Sequence, residues 1–314
     1  AVPVVVPIWD RGAIPSPCPE FMGVVGAASG DPLILEDADL LLLLGAQLDY
    51  RVGYGRGPAG PRVVRVGMDP AGLAPGAADL DLLAGPKAAL RALDEAAAAR
   101  QLAGYEAWLA VARQRRDRFA ADVRAAARRE DGRLHALDIM DALADALPDE
   151  AILIVDGGNV GQWFHQTLGR RRYPGHWLTC GASGVVGFGV GGAMAARAGY
   201  PRRPVVLVSG DGAATFNLTD LERAASQGLP FVMVIADDQS WGIVETGQLA
   251  RFGAALSSRL GPIDFAALAD SLGAMGTRVD SAGQLRRALQ LGLAQRRPTV
   301  VHVPISGGAP SAAS

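Results

Sequence analysis

Four short apolar runs in the second half of the chain set the strongest constraint on its fold. They are AILIVDGGN (151–159), PVVLVSGDG (204–212), PFVMVIADD (230–238) and PTVVHVPI (298–305). Helical stretches separate or precede them: LDIMDALADAL (137–147), a Gly- and Ala-rich segment (181–198), NLTDLERAASQG (217–228), DFAALADSLG (264–273) and AGQLRRALQLGLA (282–294). Strands alternating with helices imply a parallel, doubly wound α/β sheet. Such sheets bind ligands beyond the carboxyl ends of their strands, near a topological switch point. Three run ends carry unusual polar residues at that level: Asp156-Gly-Gly-Asn159, Gly210-Asp-Gly212 and Asp237-Asp238.

The first part repeats the alternation on a smaller scale. VPVVVPI (2–8), DLLLLLG (39–45) and RVVRVGM (62–68) are strand candidates, the middle one apolar enough to be covered on both faces. GPKAALRALDEA (85–96) opens a helix-rich region that reaches Leu134. The expected organisation is a Rossmann-like α/β domain over 1–98, a helical linker over 99–134 and the doubly wound domain over 135–314.

Composition narrows the function. A formal charge of −2 over 314 residues argues against nucleic acid or an anionic membrane as the main partner. Lys87 is the only lysine, so Arg clusters such as RQRRDRF (113–119) read as solvated helix faces. Cys18 and Cys180 are far apart and suit reduced thiols in a cytoplasmic protein. His135, His165, His176 and His302 form no metal-binding spacing, and no apolar run is long enough to cross a bilayer. AVPVVVPIWD reads as a strand, not as a signal peptide.

Asp211 directly follows a strand and is flanked by glycines, which permit close backbone approach to a ligand. Asp238 ends the next strand, so the two carboxylates face one crevice. Hard oxygen ligands with room for water and phosphate oxygens suit Mg²⁺ bound to a diphosphate. With Asn217 as N-cap of helix 217–228 and Asp220 at its third position, Asp211 has no capping task. Asp237 is open between a solvated turn residue and a member of the site. Gly187, Gly189 and Gly192 formally match G-x-G-x-x-G, but no strand runs into them and no ribose-binding acid follows. Close packing of a helix on the sheet explains them better.

The segment GDGAATFNLTDLERAASQGLPFVMVIADDQSWGIV (210–244) resembles the thiamine-diphosphate motif of the acetolactate-synthase-like enzymes, with Asp-Asp where that family has Asn-Asn. The resemblance continues through DFAALADSLGAMGTRV (264–279), and 6–53 resembles the later part of that family's middle domain. It implies a thiamine-diphosphate-binding domain preceded by a truncated Rossmann-like middle domain. Carried over position by position, Asp211 and Asp238 become Mg²⁺ ligands, with the Ser240 carbonyl completing the protein's share. Gly158, Asn159, Val160 and Gly161 match the loop that cradles the diphosphate. Gly210, Gly212 and Ala213 bring backbone N–H groups to the phosphates, and Ser240, Trp241 and Gly242 border the cofactor. Val186, in the segment that starts at Gly184, matches the apolar residue that bends the cofactor into its V shape.

The resemblance also implies what this sequence does not carry. The Glu that activates the cofactor belongs to a pyrimidine-binding domain, so no catalytic residue is expected here. That domain is expected on an N-terminal partner polypeptide, from a split gene or proteolysis, within a hetero-oligomer built on a dimer or tetramer. The implied reaction decarboxylates a 2-oxo acid and ligates the carbanion to a carbonyl acceptor. The alternatives are a 2-hydroxyacyl-CoA lyase or oxalyl-CoA-type decarboxylase acting on an acyl donor, or a non-catalytic regulatory subunit. Asp49 and Arg51 in GAQLDYRVG keep the frame of FAD-binding relatives, so FAD or ADP is a candidate ligand of the middle domain. An Arg there equally suits a local acid pair. Gly247 stands where the synthases carry a Trp over the substrate channel, which points to a bulkier substrate.

Overall fold

The computed structural model describes residues 1–14, 18–27, 30–55, 60–70, 78–100, 104–127, 132–167 and 176–307, the side chains of 53–55 excepted. Chain contacts divide the molecule into two units. One comprises Ala1–Pro7, Pro19–Ala27 and Asp31–Phe119; the other comprises Ile8–Cys18, Ala28–Gly30 and Ala120–Ser314.

In the first unit, β1 (Val4–Pro7) pairs in parallel with β2 (Phe21–Val25). A separate parallel sheet runs β3 (Leu40–Leu44), β4 (Arg62–Gly67), β5 (Leu80–Leu83). Helices α1 (Pro86–Arg100) and α2 (Glu106–Ala126) follow. Leu109 and Ala112 of α2 are buried with Met22 and Ile34. The Leu run of β3 departs from expectation: Leu40 and Leu42 are 48% and 40% exposed, so the described residues cover that face of the strand only in part. Strands β2 and β5 are not legible in the sequence, where Gly23 and Asp81 interrupt their apolar pattern.

In the second unit, α3 (Ala136–Ala146) is capped by His135 and Asp138 in a reciprocal box. Then come β6 (Ile152–Asp156), α4 (Asn159–Thr167), β7 (Trp177–Leu178), α5 (Gly189–Gly199) and β8 (Val205–Gly210). They are followed by α6 (Asp211–Asn217), α7 (Asp220–Ser226), β9 (Val232–Asp237) and α8 (Gly242–Phe252). The unit closes with α9 (Phe265–Ser271), β10 (Met275–Arg278), α10 (Ala282–Leu293) and β11 (Thr299–Pro304). The six strands form one parallel sheet in the order β10-β11-β9-β8-β6-β7.

Side chains alternate across a strand, so each run serves two cores. Ile152, Ile154, Val205, Leu207, Met233, Ile235 and Val300 pack with Val190 and Ala193 of α5, Leu221 of α7 and Phe265 of α9. Their neighbours Leu153, Val206, Val208, Val232, Val234 and Val301 point the other way and are equally buried, which is why these runs are apolar at nearly every position. Each fully buried Val or Leu is worth about 1.5–3 kcal/mol. This double cover makes the strand ends rigid platforms.

One helix differs from the sequence expectation. Residues 217–228 do not form a single helix capped by Asn217; Asn217 ends α6, and its amide donates to the Gly187 carbonyl. Helix α6 starts at Asp211 itself, with Gly210 extended before it. The glycines of the G-x-G-x-x-G match serve packing, as expected. A Cβ on Gly189 would lie 2.6 Å from Leu207 Cδ1, and the Gly187 and Gly189 N–H groups both donate to the buried Asp156 carboxylate.

Candidate functional site

Strand β7 lies on one side of β6 and β8 on the other, so the chain reverses direction across the sheet at β6/β8. A cavity of about 190 Å³ sits there. Residues following β6 (Gly157, Gly158), β8 with its successor helix (Gly210, Gly212, Ala213) and β9 (Ala236, Asp238) line it. This is the crevice that doubly wound sheets use for ligands. The first residues of α4 and of α8 (Asn159 and Gly242) also line it, and helix N-termini present unpaired N–H groups to an anion.

Small residues shape the walls. A Cβ on Gly212 would meet the Trp241 ring at 3.0 Å, and one on Gly242 would meet Asn159 Nδ2 at 2.5 Å. Gly157, at φ 122°, turns the chain away from β6 where other residues would be strained. Asn159 is 9% exposed, and neither amide atom has a hydrogen-bond partner among the described residues. A buried amide left in that condition costs about 1–3 kcal/mol, so a polar ligand in the cavity relieves a real deficit.

Three carboxylates gather beside this wall. The Ser240 N–H lies 3.2 Å from both Asp211 Oδ2 and Asp238 Oδ1, linking the two acids that the sequence singles out. Asp211 also accepts from the Gly212 N–H at 2.7 Å, so it does take part in the start of its helix. Burial, and then the charge of Asp238, push its pKa up to about 8. Asp238 is raised as well, chiefly by burial, against the hydrogen bonds from Ser240. Between them Gln239 adopts a left-handed backbone at φ 58°, an unusual conformation of the kind that functional turns hold.

Asp237 is not a solvated turn residue. It is 5% exposed and receives the His302 ring at 2.8 Å and the Gln239 N–H at 3.1 Å. Burial raises its pKa, but the bonds from His302 and Asp211 outweigh that and hold it below the ordinary carboxylate value. His302, fully buried in β11, is not singled out by sequence reasoning; a histidine inside the apolar run VVHVP is the available signal.

Of the other sequence candidates, Gly158, Asn159, Val160, Val186, Gly210, Gly212, Ala213, Asp238, Ser240, Trp241 and Gly242 all line the cavity. Gly161 instead packs against the Trp9 ring and Val155, and Gly184 ends a 3₁₀ turn at φ 62°. Asp211 lies just behind the lining, bonded to Ser240. Trp241 stacks edge-on against Phe216 at 5.7 Å. Gly247 is exposed, with no described residue near a prospective Cβ. In the first unit, Arg51 is buried and pairs with Asp49 at 2.8 Å, the local-acid alternative.

The family described as thiamine pyrophosphate enzyme, C-terminal TPP binding domain, matches residues 156–303, and the central domain of the same enzymes matches residues 1–93. The chain belongs to the thiamine pyrophosphate enzymes of acetolactate-synthase-like type. It is 30% identical over 295 residues to the acetolactate synthase large subunit of Parasynechococcus marenigrum, covering 92% of this chain and 46% of that protein. It is 29% identical over 301 residues to 2-hydroxyacyl-CoA lyase 2 of Caenorhabditis elegans, covering 88% and 46%. A Rhodococcus jostii thiamine diphosphate-dependent 4-hydroxybenzoylformate decarboxylase shares the fold, with a TM-score of 0.74, 21% identity and coverage of 98% and 56%. The chain thus spans about half the length of the curated relatives it matches.

Proposed function

We propose that this chain binds thiamine diphosphate with Mg²⁺ in the cavity at the β6/β8 switch point, as the cofactor-holding part of a carboligase that decarboxylates a 2-oxo acid. The observation that carries the reading is the joining of Asp211 and Asp238 through one amide, Ser240 N–H, beside the unpartnered Asn159. The donor set fits: carboxylate and carbonyl oxygens suit Mg²⁺, and helix N-termini with a glycine wall suit a diphosphate. Thiamine diphosphate, when bound, supplies the nucleophilic carbon that takes up the 2-oxo acid and holds the electron pair left by CO₂.

In this reading Asp211, Asp238 and the Ser240 carbonyl hold the cation, while Asn159 and the first amides of α4 orient the phosphates. Gly158, Val160, Gly210, Gly212, Ala213, Trp241 and Gly242 shape the bed, and Val186 supports the bend of the cofactor. Asp238 in place of an amide adds a negative charge that strengthens the hold on the cation. In this reading the Glu that moves the activating proton comes from a pyrimidine-binding domain and not from the residues described above. Mass spectrometry of the natively purified enzyme tests that part. A fully active single species of this chain's mass overturns it.

Calorimetry tests the site itself. Wild-type chain should bind thiamine diphosphate only with Mg²⁺, and Asp211→Ala should abolish that dependence; metal-independent binding of equal strength overturns the assignment. Similarity to a 2-hydroxyacyl-CoA lyase favours a second reading, an acyl-CoA donor. Turnover of 2-oxo acids against 2-hydroxyacyl-CoA by the complete enzyme separates the two.

A further inference from the structure

We infer that His302 and Asp237 form a positioning pair that sets the geometry of the cation site, an inference that rests on the thiamine-diphosphate reading above. Along β9, Ala236 and Asp238 line the cavity, while Asp237 points to the opposite face of the sheet. There it accepts from His302 Nε2 at 2.8 Å and from the Gln239 N–H at 3.1 Å. One side chain therefore ties β11 to the left-handed turn at Gln239. Asp238 and Ser240 flank Gln239 in that turn, and the Ser240 N–H reaches Asp211 at 3.2 Å.

Asp237 is held in turn by β11. His302 pairs with Ile235 across the β9/β11 ladder, so its ring starts two residues back from Asp237 and reaches forward along the sheet. It is 0% exposed, and the edge of Phe265 packs at 5.3 Å, which leaves the ring little rotational freedom. Its Nδ1 is buried without a partner, so among the described residues the ring's one hydrogen bond is the one to Asp237. A buried polar ring whose one hydrogen bond among the described residues goes to the carboxylate next to the proposed cation ligand Asp238 is explained by orientation. An apolar residue of the same volume would fill the core more favourably.

The test is Mn²⁺ binding to the full chain in the presence of thiamine diphosphate, read by calorimetry and by the Mn²⁺ electron-paramagnetic-resonance spectrum. His302→Leu should weaken Mn²⁺ about 10- to 100-fold and broaden the spectrum, the usual scale for partners behind metal ligands. His302→Gln, whose amide donates at the reach of Nε2, should stay within about 3-fold of wild type. His302→Met is read beside Leu in case the Leu variant does not fold. Melting temperatures separate a general loss of stability from the metal effect. The pairing is overturned if the Leu and Met variants bind Mn²⁺ as wild type does, or if Gln falls with them at equal stability. Wild-type chain that binds no Mn²⁺ with the cofactor overturns the underlying reading as well.

Discussion

The six-stranded sheet of the second unit and the β3-β4-β5 sheet of the first are both parallel and both rich in Leu and Val. Every residue of β6 and β9 is buried, whereas β3 and β5 are exposed at Leu40, Leu42, Leu80, Leu82 and Leu83. The cavity and its acids sit at the ends of the covered strands. A parallel sheet packed on both faces cannot shift its strand ends without opening two cores at once. Asp211, Asp237 and Asp238 can therefore be held close together despite mutual repulsion. In the sheet of the first unit, the described Arg65–Asp81 pair joins β4 to β5.

The contrast is sharpest in the core. Leu207→Ala in β8 should cost about 2–5 kcal/mol in chemical denaturation, because a fully buried side chain leaves a cavity. A loss below about 1 kcal/mol would erase the distinction between the sheets.

Acid should act on the second unit through His165. Its ring lies between Trp9 and Trp177, and burial, followed by the Arg11 charge, lowers its pKa from 6.5 to about 3. The unfolded chain takes up a proton as pH falls past 6.5 while the folded ring stays neutral. Stability is thus intact above pH 6.5 and declines toward pH 3, by about 3 kcal/mol at pH 4. His165→Phe removes this titration, so its denaturation midpoint should fall less steeply with acid than that of wild type.

At the site, Asp211→Ala should weaken Mg²⁺-dependent cofactor binding more than about 100-fold, measured by titration calorimetry. Gly242→Ala places a methyl group 2.5 Å from Asn159 Nδ2 and should cost about 10-fold in the same assay. The smallest effect belongs to the first unit: Leu42→Ala, at a site 40% exposed, should change stability by less than about 1 kcal/mol. A larger loss would mean that the face of β3 is covered in solution.

Much of the fold and of the site is legible in the sequence. Runs such as FVMVIAD are apolar because both faces are covered, and GDG and DD end them because a strand end is where polarity becomes tolerable. The helix over 217–228 misleads because Asn-Leu-Thr-Asp carries every local sign of an N-cap. Packing of Asn217 onto the Gly187 carbonyl overrides that signal. The role of Asp237 is not legible, since neighbouring strand residues look alike in sequence and differ only in the face they reach.

The sequence by itself determined which residues end the strands, hence which carboxylates, amide and glycines stand at one level of a parallel sheet. Strand order alone decided that β11, last in the chain, lies beside β9 and brings His302 to Asp237. Local periodicity sets each strand and its faces. Neighbours in a parallel sheet are chosen by crossover packing over long separations, and that information exists only in the folded core.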